Sequence, residues 1–144
     1  GGSPHRLLKR WPAHCYTELA NILSKLGVTP VLIGGSSEYE TLKTISDTNQ
    51  NICNLAGRTT LLDVLDLAHH SILAIGNDTG PMHLMSSAGC PSLVLFSSSS
   101  NPDLCAPRGP NTKIVQANDL TRLSVEDVIR KIQTVVPSLF NIAE

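Results

Sequence analysis

The residues best suited to chemistry lie in one stretch, GNDTGPMH at positions 76–83. Pro81 suits the first turn of a helix, where its missing N–H would have no partner. The remaining N–H groups of that turn, aided by the helix dipole, form a binding site for phosphate. Asp78 can accept hydrogen bonds from sugar hydroxyls beside the phosphate, and His83 can donate to either group. The alternative is that Asp78 or Thr79 only caps the helix and that His83 is a surface residue.

Three other segments offer polar groups to the same kind of ligand. Arg6, Lys9 and Arg10 place three cations within five residues, which suits a diphosphate, although a solvated basic turn has the same composition. Glu38 follows a Gly-Gly-Ser-Ser turn and can hold ribose hydroxyls, or the turn is a plain helix cap. Thr59, which stands between an Arg and another Thr, can edge a base pocket or belong to the next helix cap.

Common catalytic signatures are absent from the sequence. It contains no GxSxG elbow, no GKS or GKT phosphate loop and no HExxH zinc motif. It also lacks a closely spaced Asp pair of the DxD type, which would hold a metal for a nucleotide-sugar. No pairing of a base with a nucleophile stands out. The pattern indicates a site that binds a phosphate-bearing ligand without a metal or a resident cofactor, with the chemistry supplied elsewhere.

Strand and helix patterns alternate along the chain around these residues. Short apolar runs predict strands at 31–33, 52–55, 71–75, 93–96 and 113–116. Apolar residues at helical spacing predict helices that begin near residues 12, 36, 61, 80 and 124. Thr60 caps the third of these, with Asp63 as its capping-box partner, and Ser124 caps the last. The order predicts an α/β fold, a Rossmann-like parallel sheet with helices on both faces, whose ligands collect at the carboxyl ends of the strands.

One strand is missing from this pattern. No strand precedes the helix that begins near residue 12, and residues 1–10 take the place of a loop that follows a first, central strand. A sheet without that strand has two unpaired edges, which is costly. We therefore expect the position to be filled by residues outside this sequence, by a partner chain, or by rearrangement of residues 1–8.

Composition narrows the class of protein. The chain has the length of one domain, residues 1–144, and its 41% of hydrophobic and 16% of charged residues exclude a disordered chain. A net charge of −1 and an aromatic content of 3% exclude a general nucleic-acid binder. The four cysteines are far apart, so we expect free thiols and a cytosolic location by default. No apolar run approaches the ~20 residues that span a bilayer, and no signal peptide is visible.

A set of motifs, taken in order, resembles one enzyme family. The motifs are KRWP at 9–12, VLIGG at 31–35, NLAGRT at 54–59, NDTGPMHL at 77–84 and GCP at 89–91. They are similar to the C-terminal half of the heptosyltransferase-type glycosyltransferases, family 9, and nearly the whole chain is covered. The resemblance implies a two-domain GT-B fold whose C-terminal domain binds a nucleotide-sugar donor, typically ADP-heptose. It also implies inverting transfer without a catalytic metal, onto the inner core of lipopolysaccharide at the cytoplasmic face of the bacterial inner membrane.

The same resemblance implies roles for individual residues. Lys9 would contact the donor phosphate and sugar, and the backbone N–H groups of Thr79 and Gly80 would bind the diphosphate. Asp78 and His83 would face the donor sugar and phosphate. The implied donor-binding set is Ser3, Lys9, Glu38, Thr59, Asp78, Thr79, Gly80 and His83.

The resemblance also covers Ser3 and Glu38, and one segment departs from the family's pattern. Ser3 matches a phosphate contact through its hydroxyl, and Glu38 matches a ribose contact. The run SSSSNP at 97–102 replaces the family's usual Gly-Pro-Thr and Asp-Pro, which leaves the identity of the sugar open. The general base of the family belongs to an N-terminal domain that is not in this chain, so we expect no catalytic residue here.

Functions of two classes follow from these observations. In the first, the chain is the donor-binding half of a glycosyltransferase, and the lipid-linked saccharide acceptor binds to the N-terminal domain. The isolated chain then binds donor without transferring sugar. In the second, the chain is a stand-alone nucleotide- or phosphosugar-binding module, and a sugar-nucleotide epimerase of similar two-domain fold is a third option. A reading frame that continues upstream of Gly1 with a second α/β pattern favours the first.

Overall fold

Strands and helices alternate in the computed structural model, which describes residues 10–77, 79–97, 109 and 111–141. The strands are β1 (Val31–Leu32), β2 (Cys53–Asn54), β3 (Ala74–Asn77), β4 (Ser92–Ser97) and β5 (Thr112–Ala117). The helices are α1 (Ala13–Lys25), α2 (Tyr39–Ser46), α3 (Leu61–His70), α4 (Gly80–Ser87), α5 (Val125–Val135) and α6 (Ser138–Asn141). Short 3-10 turns cover Ser36–Glu38 and Leu120–Arg122.

Every strand pair that the structure describes is parallel, which confirms the predicted class of fold. β1 pairs with β2, and β4 lies between β3 and β5 in a three-stranded sheet. Within the described residues β1 and β3 have one strand neighbour each, so the sheet is divided where the sequence analysis places the missing first strand. Residues 1–9 lie outside the described part of the chain, and what fills this position stays a prediction.

Strand β4 is the centre of the core, because all six of its residues are buried. Leu93 and Leu95 point to one face, where they cluster with residues of α1 and α5. Val94 and Phe96 point to the other face, where they cluster with residues of α3 and α4. This alternation is the geometry of a strand covered on both sides, and it accounts for the continuous apolar run in the sequence.

Helix α1 packs against both parts of the divided sheet. Its buried Leu19 belongs to the cluster that contains Leu93 of β4. One residue later, Ala20 belongs to a separate cluster with Ile45 of α2 and Ile52, which precedes β2. Helix α1 therefore fixes the β1–β2 pair relative to the three-stranded sheet.

The predicted helix caps are confirmed. The Thr60 hydroxyl accepts a hydrogen bond from the Asp63 N–H at 3.2 Å, and the Asp63 carboxylate accepts one from the Thr60 N–H at 2.8 Å. The Ser124 hydroxyl likewise accepts from the Asp127 N–H at 3.0 Å. These bonds satisfy N–H groups that have no partner within the helix, and they fix where α3 and α5 begin.

Strand β3 lies further along the chain than predicted. The expectation was 71–75, whereas β3 covers Ala74–Asn77. Ser71 belongs to the end of α3 instead, because its hydroxyl donates to the carbonyl of Leu67 one helical turn earlier. The shift makes Asn77 the last residue of a strand rather than part of a loop.

Other elements also differ from their predicted bounds. β1 and β2 contain two residues each, fewer than predicted. The helix expected from residue 36 begins as a 3-10 turn and becomes α-helical at Tyr39. The turn at Leu120–Arg122 and helix α6 were not predicted, because segments of three and four residues are too short to show a period.

The loops that follow β1 and β2 touch each other at Gly57. Its N–H donates to the carbonyl of Gly34 at 2.7 Å. Its backbone is left-handed, with φ +73°, and a Cβ at this position would lie 3.1 Å from Cα of Ser36. Only glycine fits both conditions, so the two loops stand side by side at the carboxyl edge of the sheet.

Replacing Ile132 with Ala should destabilise the fold strongly. The Ile132 side chain is fully buried in the cluster that joins α5 to β4, so the change loses apolar burial and leaves a cavity. We expect a loss of about 2–5 kcal/mol of unfolding free energy. Urea unfolding followed by the fluorescence of Trp11, the only tryptophan, measures it. The neighbouring exposed Gln133→Ala should change stability by less than about 0.5 kcal/mol, and equal losses in both variants would contradict this account of the core.

Gly57→Ala should cost more stability than the matched variant Gly27→Ala. Both glycines are left-handed, with φ +73° and +92°, so each variant loses about 1–2 kcal/mol for its backbone. A Cβ at Gly27 meets no described atom within 4 Å, whereas a Cβ at Gly57 presses on Ser36. Overpacking adds about 1 kcal/mol or more at Gly57. Urea midpoints of the two variants measure the difference, and its absence would mean that the loops do not touch in solution.

Candidate functional site

Helix α4 begins at the carboxyl edge of the sheet, and we call its first turn open because the side chain of its N-cap residue caps none of the described N–H groups. Thr79 holds the N-cap position with extended backbone (φ −139°, ψ 163°), and its side chain caps no N–H of the described helix. Gly80 is exposed, and a Cβ there would meet no described atom within 4 Å. The first intrahelical bond runs from the His83 N–H to the Thr79 carbonyl at 3.1 Å. The N–H groups before it have no partner within the helix, and such groups at a helix start can bind an anion.

The geometry of Thr79 shows which of its two predicted roles in the stretch 76–83 is correct. Thr79 was expected either to cap α4 or to leave its first turn available, and its hydroxyl does not cap it. Asp78 lies outside the described residues, so its assignment to sugar hydroxyls stays a prediction. His83 is exposed in the first turn of α4, on the same side as Gly80.

An apolar groove of about 380 Å³ lies beside this turn, between α3 and α4. Leu61 stands at its rim with 77% of its side chain exposed, in the first turn of α3. The capping pair Thr60 and Asp63 holds that turn in place. The groove is lined by Leu61, Val64, Gly80, Pro81, His83, Leu84 and Ser87. A planar or apolar ring fits such a surface, and an attached phosphate would then reach the start of α4.

A hydrogen bond within the loop after β1 joins its beginning to its end. The carboxylate of Glu38 accepts a hydrogen bond from the N–H of Gly35 at 3.3 Å. This is the capping arrangement that was the alternative to a ribose contact, although it occupies only one carboxylate oxygen. Glu38 and Ser36 are both exposed, and the contact at Gly57 holds their loop against the loop that carries Thr59.

Five of the predicted donor-binding residues fall within the described part of the chain. Each lies between the carboxyl end of a strand and the end of the first turn of the next α-helix; they are Glu38, Thr59, Thr79, Gly80 and His83. The structure brings Gly80 and His83 together in one groove, and it brings the loops of Glu38 and Thr59 into contact. The remaining three, Ser3, Lys9 and Asp78, lie outside the described residues.

The segment before α1, which carries part of the predicted basic cluster, is held by Trp11. Its side chain is 2% exposed, and its Nε1 donates to the carbonyl of Leu123 at 2.8 Å. Its ring meets the ring of Tyr16 edge to face, with centroids 4.9 Å apart. Arg10 is exposed directly before this anchor.

Two residues near the site were missed by the sequence analysis. The Tyr16 hydroxyl donates to Oδ1 of Asn77 at 3.0 Å, at the end of β3. The Asn77 side chain in turn donates from Nδ2 to the carbonyl of Leu95 at 3.4 Å. The signal available in the sequence was a tyrosine within the apolar face of α1, because a tyrosine packed in a core usually needs a partner for its hydroxyl.

The two buried cysteines that the structure describes offer no reactive thiolate. Cys15, Cys53 and Cys90 are free thiols, as predicted, and Cys105 lies outside the described residues. Burial raises the pKa of the Cys15 and Cys90 thiols above its usual range, so they stay protonated. In the same part of the chain, no three His, Cys, Asp or Glu side chains gather to hold a metal ion. None of the described helices has the length and hydropathy needed to cross a bilayer.

Comparison with known proteins gives consistent matches. Residues 4–131 match the sequence model of glycosyltransferase family 9 (heptosyltransferase). The chain is 32% identical over 113 residues to lipopolysaccharide heptosyltransferase 2 of Salmonella typhimurium, an alignment that covers 75% of this chain and 32% of that protein. The solved structure of E. coli ADP-heptose lps heptosyltransferase II aligns with a TM-score of 0.83 at 23% identity, over 95% of this chain and 45% of that one. E. coli heptosyltransferase WaaC with ADP aligns with a TM-score of 0.81 at 24% identity, over 92% and 42%.

These matches cover most of this chain but only part of the proteins it resembles. The chain spans about a third of the length of the Salmonella protein and less than half of each solved chain. The solved structures share its fold, with parallel strands between two layers of helices. Because the family match extends over nearly the whole sequence, the chain belongs to glycosyltransferase family 9, the heptosyltransferase family.

Proposed function

We propose that this chain is the donor-binding domain of an inverting, metal-independent glycosyltransferase. The whole enzyme moves a heptose-type sugar from an ADP-sugar to a lipopolysaccharide core acceptor, at the cytoplasmic face of the bacterial inner membrane. The observation that carries the proposal is the open first turn of α4, with Gly80 exposed beside an apolar groove. The ADP complex of the related WaaC chain supports it.

The start of α4 suits the diphosphate of such a donor. Its N–H groups have no intrahelical partner, and the helix dipole adds a partial positive charge of about half a unit. When the sugar leaves, negative charge develops on the diphosphate, and donors already aimed at that position stabilise it without reorganising. Lys9, which the family resemblance assigns to the same phosphates, adds a full charge. A helix start with a lysine can supply this stabilisation without a metal ion.

Two described surfaces suit the nucleoside. The apolar groove with Leu61 at its rim suits the adenine ring, and Thr59 lies two residues before Leu61. Glu38 has one carboxylate oxygen left for ribose hydroxyls, in the loop that touches the Thr59 loop at Gly57. Ser3 is the remaining assigned phosphate contact. In this proposal the base, ribose and diphosphate follow the carboxyl edge of the sheet.

In this proposal Asp78 and His83 bind the sugar of the donor. A carboxylate accepts hydrogen bonds from hydroxyls and repels phosphate, so Asp78 suits the sugar alone. His83 lies one turn into α4, where it can donate to the sugar or to the adjoining phosphate. Both residues are committed to the donor, so the base that deprotonates the acceptor belongs to the N-terminal domain, together with the site for the lipid-linked saccharide.

The 144-residue chain should bind ADP and an ADP-sugar. A ligand at 100 times its Kd stabilises the fold by about 2.7 kcal/mol, which thermal unfolding detects as a raised Tm. Lys9→Ala should weaken both ligands about tenfold, because both carry the diphosphate. Its matched control is Lys25→Ala, which removes the same charge at the opposite end of α1 and should leave both affinities unchanged. A chain that binds neither ligand overturns the proposed function.

Asp78→Ala should separate the two ligands. We expect the affinity for the ADP-sugar to fall about tenfold and the affinity for ADP to fall much less, because the lost hydrogen bonds go to sugar hydroxyls. Isothermal titration of both ligands measures the two losses on one preparation. Equal losses of affinity for ADP and the ADP-sugar would indicate that Asp78 caps α4 and does not bind the sugar.

Catalysis should require the N-terminal domain. The 144-residue chain should transfer no sugar from an ADP-sugar, with or without Mg²⁺, since no base is placed for the acceptor. Fusion to the N-terminal domain of a heptosyltransferase should produce transfer that survives EDTA. Release of ADP coupled to mass detection of the acceptor measures the reaction. Turnover by the chain alone, or complete loss in EDTA, would overturn the division of roles.

A further inference from the structure

One hydrogen bond links two segments that are far apart in the sequence. The hydroxyl of Tyr16, in the first turns of α1, donates to Oδ1 of Asn77 at 3.0 Å, across 61 positions of the chain. Asn77 is the last residue of β3 and stands two positions before Thr79, the N-cap of α4. The bond therefore connects the helix that follows the basic segment to the strand end that leads into the open helix start.

Both partners are oriented by further contacts. The Tyr16 ring lies edge to face against Trp11, whose indole nitrogen is bonded to the carbonyl of Leu123. Burial raises the pKa of Tyr16 well above its usual range, so its hydroxyl stays protonated and remains a donor. On the other side, Nδ2 of Asn77 donates to the carbonyl of Leu95, which orients the amide with Oδ1 toward the tyrosine. Successive contacts thus connect the buried Trp11 to Tyr16, and Tyr16 to Asn77 at the end of β3.

We propose that Tyr16 is a positioning residue for donor binding, because its hydroxyl holds Asn77 and so fixes the end of β3, which leads to α4, relative to α1. The role toward the donor depends on the proposed function, whereas the effect on the strand end does not. The tyrosine ring alone fills space and contacts Trp11, and phenylalanine would do the same. The hydroxyl is the only part of Tyr16 that phenylalanine lacks, and it is the part that bonds to Asn77.

The test is Tyr16→Phe in the 144-residue chain, which removes one oxygen and keeps the ring. We expect ADP to bind about fivefold more weakly, in line with the loss of one hydrogen bond that orders the site. Isothermal titration is performed well below the Tm, where both proteins are folded. The matched control is Ser92→Ala, which removes a buried hydroxyl bonded to the Cys90 carbonyl at 2.7 Å, at the start of β4 and away from the site. It should lower stability and leave the ADP affinity unchanged.

A double-mutant cycle shows whether Tyr16 acts through Asn77. If it does, the Tyr16→Phe and Asn77→Ala changes together weaken ADP binding no more than Asn77→Ala alone. Losses that multiply would show that the two residues act independently and would overturn the inference. Asn77→Ala also tests the bond from the other side if the tyrosine variant folds poorly, and it should weaken ADP binding to a similar degree.

Amide hydrogen exchange without ligand separates this inference from the proposed function. In Tyr16→Phe the amides of residues 75–77, 79 and 80 should exchange several-fold faster than in the wild-type chain, and Ser92→Ala should not produce this local change. If the wild-type chain fails to bind ADP, the proposed function is overturned, and faster exchange still supports the positioning of the strand end. If the wild-type chain binds ADP and Tyr16→Phe binds it equally well, or if the local exchange is unchanged, the inference itself is overturned.

Discussion

The parallel pairing of β4 with β3 and β5 is the constraint on which the rest of the structure depends. Parallel strands run in one direction, so every strand ends at the same edge, and every helix returns the chain to the opposite edge. Because β4 is buried along its whole length, helices must cover both of its faces. The segments that lead from strands into helices therefore meet along one edge, and polar residues spread over the sequence become neighbours there.

Because the described sheet is divided, helix α1 has a large part in holding its two parts together. In an undivided sheet strand neighbours would hold the β1–β2 pair, whereas in the described residues apolar packing through α1 and Ile33 connects it to the three-stranded sheet. Ala20 and Leu19, adjacent on α1, belong to clusters on the two sides of the division. Trp11 fixes the beginning of the same helix to the carbonyl of Leu123. Helix α1 thus sets the distance between the loops after β1 and β2 and the start of α4, which on the proposed function hold different parts of one ligand.

Local chemistry explains which features could be predicted from the sequence. The caps at Thr60 and Ser124 and the parallel order of strands follow from short-range patterns, and the structure has them. The bounds of β3 could not be predicted, because Ser71 and Ile72 suit a strand by composition, yet the Ser71 hydroxyl bonds back to α3. From the sequence, the Glu38 carboxylate could either cap the following helix or bind a ribose. The structure was needed to show that one of its oxygens accepts the Gly35 N–H as a cap. The bond between Tyr16 and Asn77 depends on two elements that meet in space, and no pattern along the chain contains it.

The charges of the chain agree with a site made largely from backbone. A chain with a net charge of −1 has no strong positive field to attract phosphate, so binding must come from local groups that are already in place. The N–H groups at the start of α4 bind negative charge and do not distinguish between the sugars that a phosphate can carry. Selectivity for the sugar must then come from side chains beyond the helix start, such as Asp78 and His83. On the proposed function, affinity for ADP depends mainly on the fold that holds α4 in position, and the choice of sugar depends on a few side chains that can change without disturbing that fold.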